Sequence, residues 1–202
     1  HRVDRRQRQM CIRDRLKPDA MVGHWEFTFG VDRVNEIIES MNYPFLGGNV
    51  FDTEWEEPVF ESTAFFEKGG VKVAVIGQHF PYTPIANPRY MMPKWSFGIR
   101  PETVQKNVNA ARDAGAQIVV LLSHNGFDVD QKLATIVTGI DVILTGHTHD
   151  AVPQALKIDK TLLLSSGSHG KYLGRIDLDV KGGEVVDYSS TSVSYTHLRA
   201  HE

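Results

Sequence analysis

Two runs of almost continuous apolar residues constrain this chain most. Residues 117–123 (QIVVLLS) and 141–145 (DVILT) lack the alternation of a strand with one wet face. Such short apolar runs, bounded by turn residues, read as strands covered on both faces, the usual setting of parallel strands joined by helices. Each run ends in histidine. His124 follows the first, and Gly146-His147-Thr148-His149 follows the second. A weaker strand pattern at 17–22 leads into Gly23-His24. Ligands of open α/β sheets bind beyond the carboxyl ends of the strands, so this order delivers four imidazoles to one edge.

The rest of the chain supports a layered α/β domain. Val31, Val34, Ile37, Ile38 and Met41 share one helical face. Residues 45–51 read as a second short strand. Residues 63–66 and 71–76 flank Lys68-Gly69-Gly70, a hairpin signal. The stretch 78–100 carries Pro81, Pro84, Pro88 and Pro93 and reads as a long loop, either functional or disordered. Pro101 opens a helix that runs to Ala114, with Val104, Val108 and Ala111 on one face. A short helix is predicted over 129–137. Beyond residue 152 come short strands at 154–158, 161–164, 172–180 and 184–188, joined by tight turns. The order predicts a mixed sheet with an antiparallel finishing edge.

Composition narrows the function classes. The chain has 202 residues, about one domain by length. Its net charge is −3, which gives no electrostatic footprint for nucleic acid. No apolar run approaches the roughly 18 residues of a membrane span. The single cysteine, Cys11, excludes an internal disulfide framework and a Cys-rich zinc module.

Both ends read differently from the middle. Residues 1–15 hold six arginines and no periodicity. Their codons from Gln9 to Asp14 resemble a transposon-end sequencing adapter, and residues 193–202 resemble its partner in the opposite sense. We therefore read 1–15 and 193–202 as adapter-derived and 16–192 as the domain. Without those ends the chain is more acidic and free of cysteine.

Four histidines at three strand ends point to a metal site. An extended His-x-His would set His147 and His149 on one side, because strand geometry repeats every two residues. Neutral imidazoles suit Mn, Fe, Zn or Ni, and no thiolate competes.

The segments GHWEFTFG (23–30), LLSHNG (121–126), LTGHTHD (144–150) and SSGSHGKYLGRIDLDV (165–180) carry a resemblance. Together they resemble the calcineurin-like metallophosphoesterases of the 5′-nucleotidase superfamily. That resemblance implies an αββα sandwich, incomplete in this chain, and a centre of two divalent metal ions. Manganese is implied first, with zinc or iron the other fits. It places His24, His124 and His147 on one metal and His149 on the other. The superfamily's remaining ligands come from upstream Asp-x-His and Gly-Asp motifs that this chain does not carry, and its C-terminal domain is also missing here. The chain alone is therefore expected to bind metal poorly and turn nothing over.

One motif departs from the pattern. The superfamily normally reads Gly-Asn-His-Glu-Phe-Asp where this chain reads Gly23-His24-Trp25-Glu26-Phe27-Thr28. There the Asn binds metal and the His, oriented by the Asp, acts as acid. The variant GHWEFT, with GQHFPYTPIANPRY (77–90) and Trp95-Ser96-Phe97-Gly98-Ile99, resembles the SoxB-type thiosulfohydrolases. Those enzymes are understood to release sulfate from a cysteine S-thiosulfonate on a sulfur-carrier protein, in the periplasm. A plain thiol has a pKa of about 8.5, whereas water lies near 15.7. A sulfur leaving group can therefore depart unprotonated, and the acid becomes dispensable. Trp25 is then the candidate at the catalytic position, packing a thin substrate arm, or else it fills the rim of the core.

Other residues carry weaker readings. Tyr82 and Arg89 either line a substrate channel or belong only to the surface of their loop. Asn49 reads as support for a turn or a ligand. His79 reads as a plain loop histidine and His169 as structural. Lys171 and Arg175 meet an anion or guard a sheet edge. Glu54, Glu56 and Glu57 read as a solvated cluster. Two further functions fit the residues: a 5′-nucleotidase or other phosphomonoesterase of the same superfamily, and a non-catalytic metal-binding module.

Overall fold

The computed structural model describes residues 16–194. The reading of 1–15, and of all of 193–202 except Val193 and Ser194, lies outside the described residues.

A 3-10 turn, Trp25–Phe29, follows His24 and leads into helix α1, Val31–Glu39. Strand β1 is Val50–Asp52. Strands β2 (Thr63–Lys68) and β3 (Val71–Gln78) form the expected hairpin around Gly69 and Gly70. The proline-rich stretch holds α2 (Thr83–Ala86), a 3-10 turn at Arg89–Met91 and β4 (Trp95–Phe97). Then come α3 (Pro101–Asp113), β5 (Ile118–Ser123), α4 (Phe127–Ala134) and β6 (Val142–Thr145). The last strands are β7 (Leu156–Ile158), β8 (Thr161–Ser165), β9 (Tyr172–Lys181) and β10 (Glu184–Ser194).

The main sheet is mixed, in the order β2-β3-β5-β6-β8-β7. Its four inner strands are parallel, and both edge strands run antiparallel to their neighbours. Helices α3 and α4 cover one face. Val104, Val108 and Ala111 of α3 and Leu133 of α4 pack on Ala74, Ile76, Val119, Leu121, Ile143 and Leu163. Burying each of these valines, leucines and isoleucines is worth roughly 1.5–3 kcal/mol. The chain is an α/β domain, as its pattern predicts. A second, aromatic cluster of Phe27, Phe45, Val50, Met92 and Trp95 lies under the 3-10 turn that follows His24.

Several boundaries differ from the sequence reading. The strand expected at 17–22 is reduced to one bridge, Met21 to Phe45. Pro44 has no N–H to extend the ladder there. The strand expected at 45–51 begins only at Val50, because Leu46, Gly47 and Gly48 cross over β3. The long loop is not structureless: β4 pairs with β1 inside it. The helix expected at 129–137 starts two residues earlier, after Gly126 at φ +107°. The antiparallel finish is divided. β7 closes the main sheet, while β9 and β10 form a separate ribbon. That ribbon extends through Val193 and Ser194, which pair with Leu173 and Tyr172. β5 is not dry on both faces: Val119 and Leu121 are buried, and Val120 and Leu122 are half-buried. Among the described residues no helix is long and apolar enough to cross a membrane.

The crossing over β3 depends on Gly77. A Cβ there would lie 2.5 Å from the Leu46 carbonyl oxygen and 2.6 Å from its carbon. Both are backbone atoms that a rotamer change cannot move. Gly77→Ala is expected to lower stability by at least the ~1–3 kcal/mol typical of overpacking, read as an earlier midpoint in urea denaturation. An unchanged midpoint would show that the 46–48 segment moves freely.

Candidate metal centre

The parallel register sets the site. Gln78 pairs with Ser123, Ser123 with Thr145, and Thr145 with Ser165, so four strand ends finish on one line. The chain beyond that line carries His79, His124 and His147. His24 arrives from the 3-10 turn, held by the aromatic cluster below it.

His24, His124 and His147 come together. Their ligating nitrogens lie within 4.8 Å of one another. The rings of His24 and His124 are 4.8 Å apart, as are those of His24 and His147. His24 Nδ1 and His124 Nε2 approach to 3.1 Å, so without an ion one ring must give a proton to the other. Phe80 stacks on His147 at 3.9 Å and also touches His24.

All three imidazoles are held neutral. Burial lowers the pKa of His124 to about 4, helped by repulsion from His24 and His147. Burial also lowers His24, followed by repulsion from His147. His147 is lowered by burial and then by His149. Among the described residues, His147 Nδ1 is buried without a hydrogen-bond partner. Three neutral nitrogens facing one point, with no carboxylate among them, are a donor set that a divalent cation satisfies. The residues present therefore fit one such ion.

His149 stands apart. The extended His-x-His expected from the sequence does not form: His147 has φ +88° and His149 φ +63°. Both left-handed conformations are costly for non-glycine residues. The backbone of this turn is not extended, so the period-two reasoning does not apply. His149 meets His169 edge to face at 5.5 Å. It is outside the trio yet close enough to disfavour charge on all three of its members.

The remaining candidates separate. Trp25 is 64% exposed, so it does not fill the rim of the core; its ring lies 4.9 Å from that of His24. Thr28 donates its hydroxyl to the Trp25 carbonyl at 2.6 Å. Tyr82 packs edge-on against Phe80 at 5.9 Å, one ring removed from His147. Arg89 is exposed on the 3-10 turn Arg89–Met91. Arg175 is committed to Asp177, and Glu54, Glu56 and Glu57 are solvent-exposed.

His79 lies in the loop just beyond β3, as expected, but it is not a plain loop histidine. It is fully buried between Phe27, Phe45 and Phe60. Its Nδ1 accepts the Gly23 N–H at 2.7 Å, which fixes the residue before His24. Gly23 can lie there only without a side chain, since a Cβ would sit 2.6 Å from the Phe45 ring. Asn49 supports the same turn. It donates to the carbonyls of His79 and Gly98 and accepts the His79 N–H, each at 2.9 Å. The sequence reading missed Phe80 and Asp130. Phe80 stands beside His79 in the GQHF stretch, where a stacking ring next to a histidine is the only hint. Asp130 has no signal at all, because its pattern is that of any acidic first helical turn.

Burial lowers the His79 pKa to about 3, with His124 adding to the shift. The unfolded chain then binds a proton at this residue below pH 6.5 that the folded chain refuses. Stability falls with acid over that window by up to ~1.4 kcal/mol per pH unit, until the folded imidazole titrates near 3. In denaturant titrations from pH 7 to pH 4, His79→Gln should lose about one proton's worth of that slope. An identical slope would show that His79 does not stay neutral.

No family model matches the chain. It is 28% identical over 164 residues to the uncharacterized metallophosphoesterase YunD of Bacillus subtilis, covering 80% of this chain and 34% of that protein. It is 26% identical over 187 residues to a 2′,3′-cyclic-nucleotide 2′-phosphodiesterase/3′-nucleotidase of Salmonella typhimurium, covering 78% and 29%. The chain thus spans about a third of the length of the curated relatives it matches. Among solved structures, the sulfate thiohydrolase SoxB of Thermus thermophilus superposes with a TM-score of 0.87 at 35% identity, covering 90% of this chain and 34% of that one. A 5′-nucleotidase precursor from Thermus thermophilus superposes at 0.78 with 25% identity, covering 90% and 40%. Shared fold, strand-end histidines and sequence likeness across most of the described residues lead to one conclusion: the chain belongs to the 5′-nucleotidase/calcineurin-like metallophosphoesterase superfamily.

Proposed function

We propose that this chain serves a metal-dependent hydrolase that releases sulfate from a cysteine S-thiosulfonate on a sulfur-carrier protein. The observation that carries this reading is the first motif. His24 joins the imidazole trio, while Trp25 and Thr28 stand where the superfamily keeps an acid and its orienting carboxylate. The likeness to the SoxB structure at 35% identity supports it.

Divalent ions at such a site supply Lewis acidity and a hydroxide at neutral pH. His24, His124 and His147 would hold one ion and His149 would help hold the second, with manganese the first expectation. Hydroxide attack on the terminal sulfur forms an S–O bond and breaks the S–S bond. Sulfate is released, and the carrier keeps its persulfide. The persulfide leaves as an anion, so no side chain need protonate it. Trp25, exposed beside His24, offers a flat apolar wall for the carrier's arm. Tyr82, one ring removed from His147, and Arg89, exposed on its turn, are our candidates for the substrate side. We propose the periplasm as the reaction's location, on the resemblance to the SoxB-type enzymes.

The nucleotidase relatives support a second reading, hydrolysis of a nucleotide phosphoester. Protein from the complete reading frame separates the two. It should release sulfate from a thiosulfonate-loaded cysteine peptide and leave nucleoside monophosphates intact. A chelator should stop turnover, and manganese should restore it. The double variant Trp25→His, Thr28→Asp should gain nucleotidase activity by the ~10²–10⁴-fold that a positioned acid contributes. Cleavage of nucleotides and no thiosulfonate turnover by the unaltered protein would overturn the proposal.

A further inference from the structure

Asp130 is fully buried, yet no cation pairs with it among the described residues. Burial raises its pKa, and three donors oppose that shift: the hydroxyls of Thr145 and Ser123 and the side-chain amide of Asn125. Its Oδ1 accepts Ser123 Oγ at 2.9 Å and Asn125 Nδ2 at 3.0 Å. Its Oδ2 accepts Thr145 Oγ1 at 2.5 Å. Ser123 and Asn125 stand on either side of His124. Thr145 is the last residue of β6, two before His147. Ser123 and Thr145 are also a paired rung of the sheet. One carboxylate thus spans two adjacent strand ends, with one oxygen for each.

We propose that Asp130 is a positioning residue that sets the spacing of the His124 and His147 imidazoles. Only an ionised carboxylate accepts all three donors at once without presenting a donor of its own. An apolar residue of similar size would leave two hydroxyls and an amide buried without partners. The clamp is needed most at His147. Its backbone sits at φ +88°, a conformation that persists only where its surroundings over-determine it. Thr145 is the fixed point from which that turn departs. Asp130 lies in the first turn of α4, whose dipole favours a negative charge there. The helix that covers the core therefore also sets the site.

This inference rests on the reading of His124 and His147 as metal ligands, and its test has a metal-free arm. In the unloaded chain, long-range proton–nitrogen spectra of the imidazoles should shift at His124 and His147 in Asp130→Asn, and not at His169. Thr145→Val should move His147 more than His124, and Ser123→Ala the reverse; these milder variants decide the matter if Asp130→Asn does not fold. In protein from the complete reading frame, Asp130→Asn should weaken cobalt binding by roughly 10–100-fold, the usual loss when a group behind a metal ligand is removed. It should also change the cobalt absorption bands. Unmoved His124 and His147 resonances in all the folded variants would overturn the inference. Spectra that move as expected in a protein that binds no cobalt would uphold Asp130 and overturn the metal reading instead.

Discussion

The structure depends on the register of four parallel strands. Gln78, Ser123, Thr145 and Ser165 end on one line, so the next residue or two of each strand emerge at the same height. Hydrogen-bonded pairing fixes that height, and the packing of Ile76, Leu121, Ile143 and Leu163 under α3 and α4 fixes the pairing. A slip of one residue would turn every one of these side chains to the other face. It would also withdraw His124 from His147. The same apolar contacts that hold the domain together therefore assemble the site.

Two carboxyl groups, Asp141 half-buried and Asp130 fully buried, mark the two ends of this arrangement. At the amino end, Asp141 Oδ2 accepts from Arg112 Nη2 and from the Val119 N–H, each at 2.7 Å, joining α3, β5 and the start of β6. At the carboxyl end, Asp130 gathers the donors of Ser123, Asn125 and Thr145. His79 plays a matching part for His24, through Gly23. A layer of buried polar groups thus lies directly beneath the imidazoles. Such groups cost free energy when unpaired and confer precision when paired. The Gln78 side-chain amide and His79 Nε2, buried without a hydrogen-bond partner among the described residues, show that this layer is not optimised for stability alone.

Much of this was legible in the sequence. The apolar runs before His124 and His147 announced buried strands and put both histidines at one edge. Gly69-Gly70 and Pro101 marked a hairpin and a helix start where the structure has them. The order of strands put His24, His124, His147 and His149 at one edge, and the resemblance alone set the first three on one metal. Other features depended on approaches that no local pattern encodes. His79 looked like any histidine in a proline-rich loop because its burial comes from Phe27, Phe45 and Phe60, distant in sequence. The turn of GHTH looked extended because nothing in four residues reveals that two of them adopt positive φ. Asp130 read as a helix-start acid, since its partners lie on two strands.

The sequence by itself determined the class of the fold and the histidines that stand at its strand ends. Periodicity is a local property, and so is the identity of the residue that follows a strand. Only the tertiary structure decided which imidazoles meet, which one stands aside with His169, and what holds them. Those outcomes turn on distances of a few ångströms between residues more than a hundred positions apart, and close packing alone sets such distances.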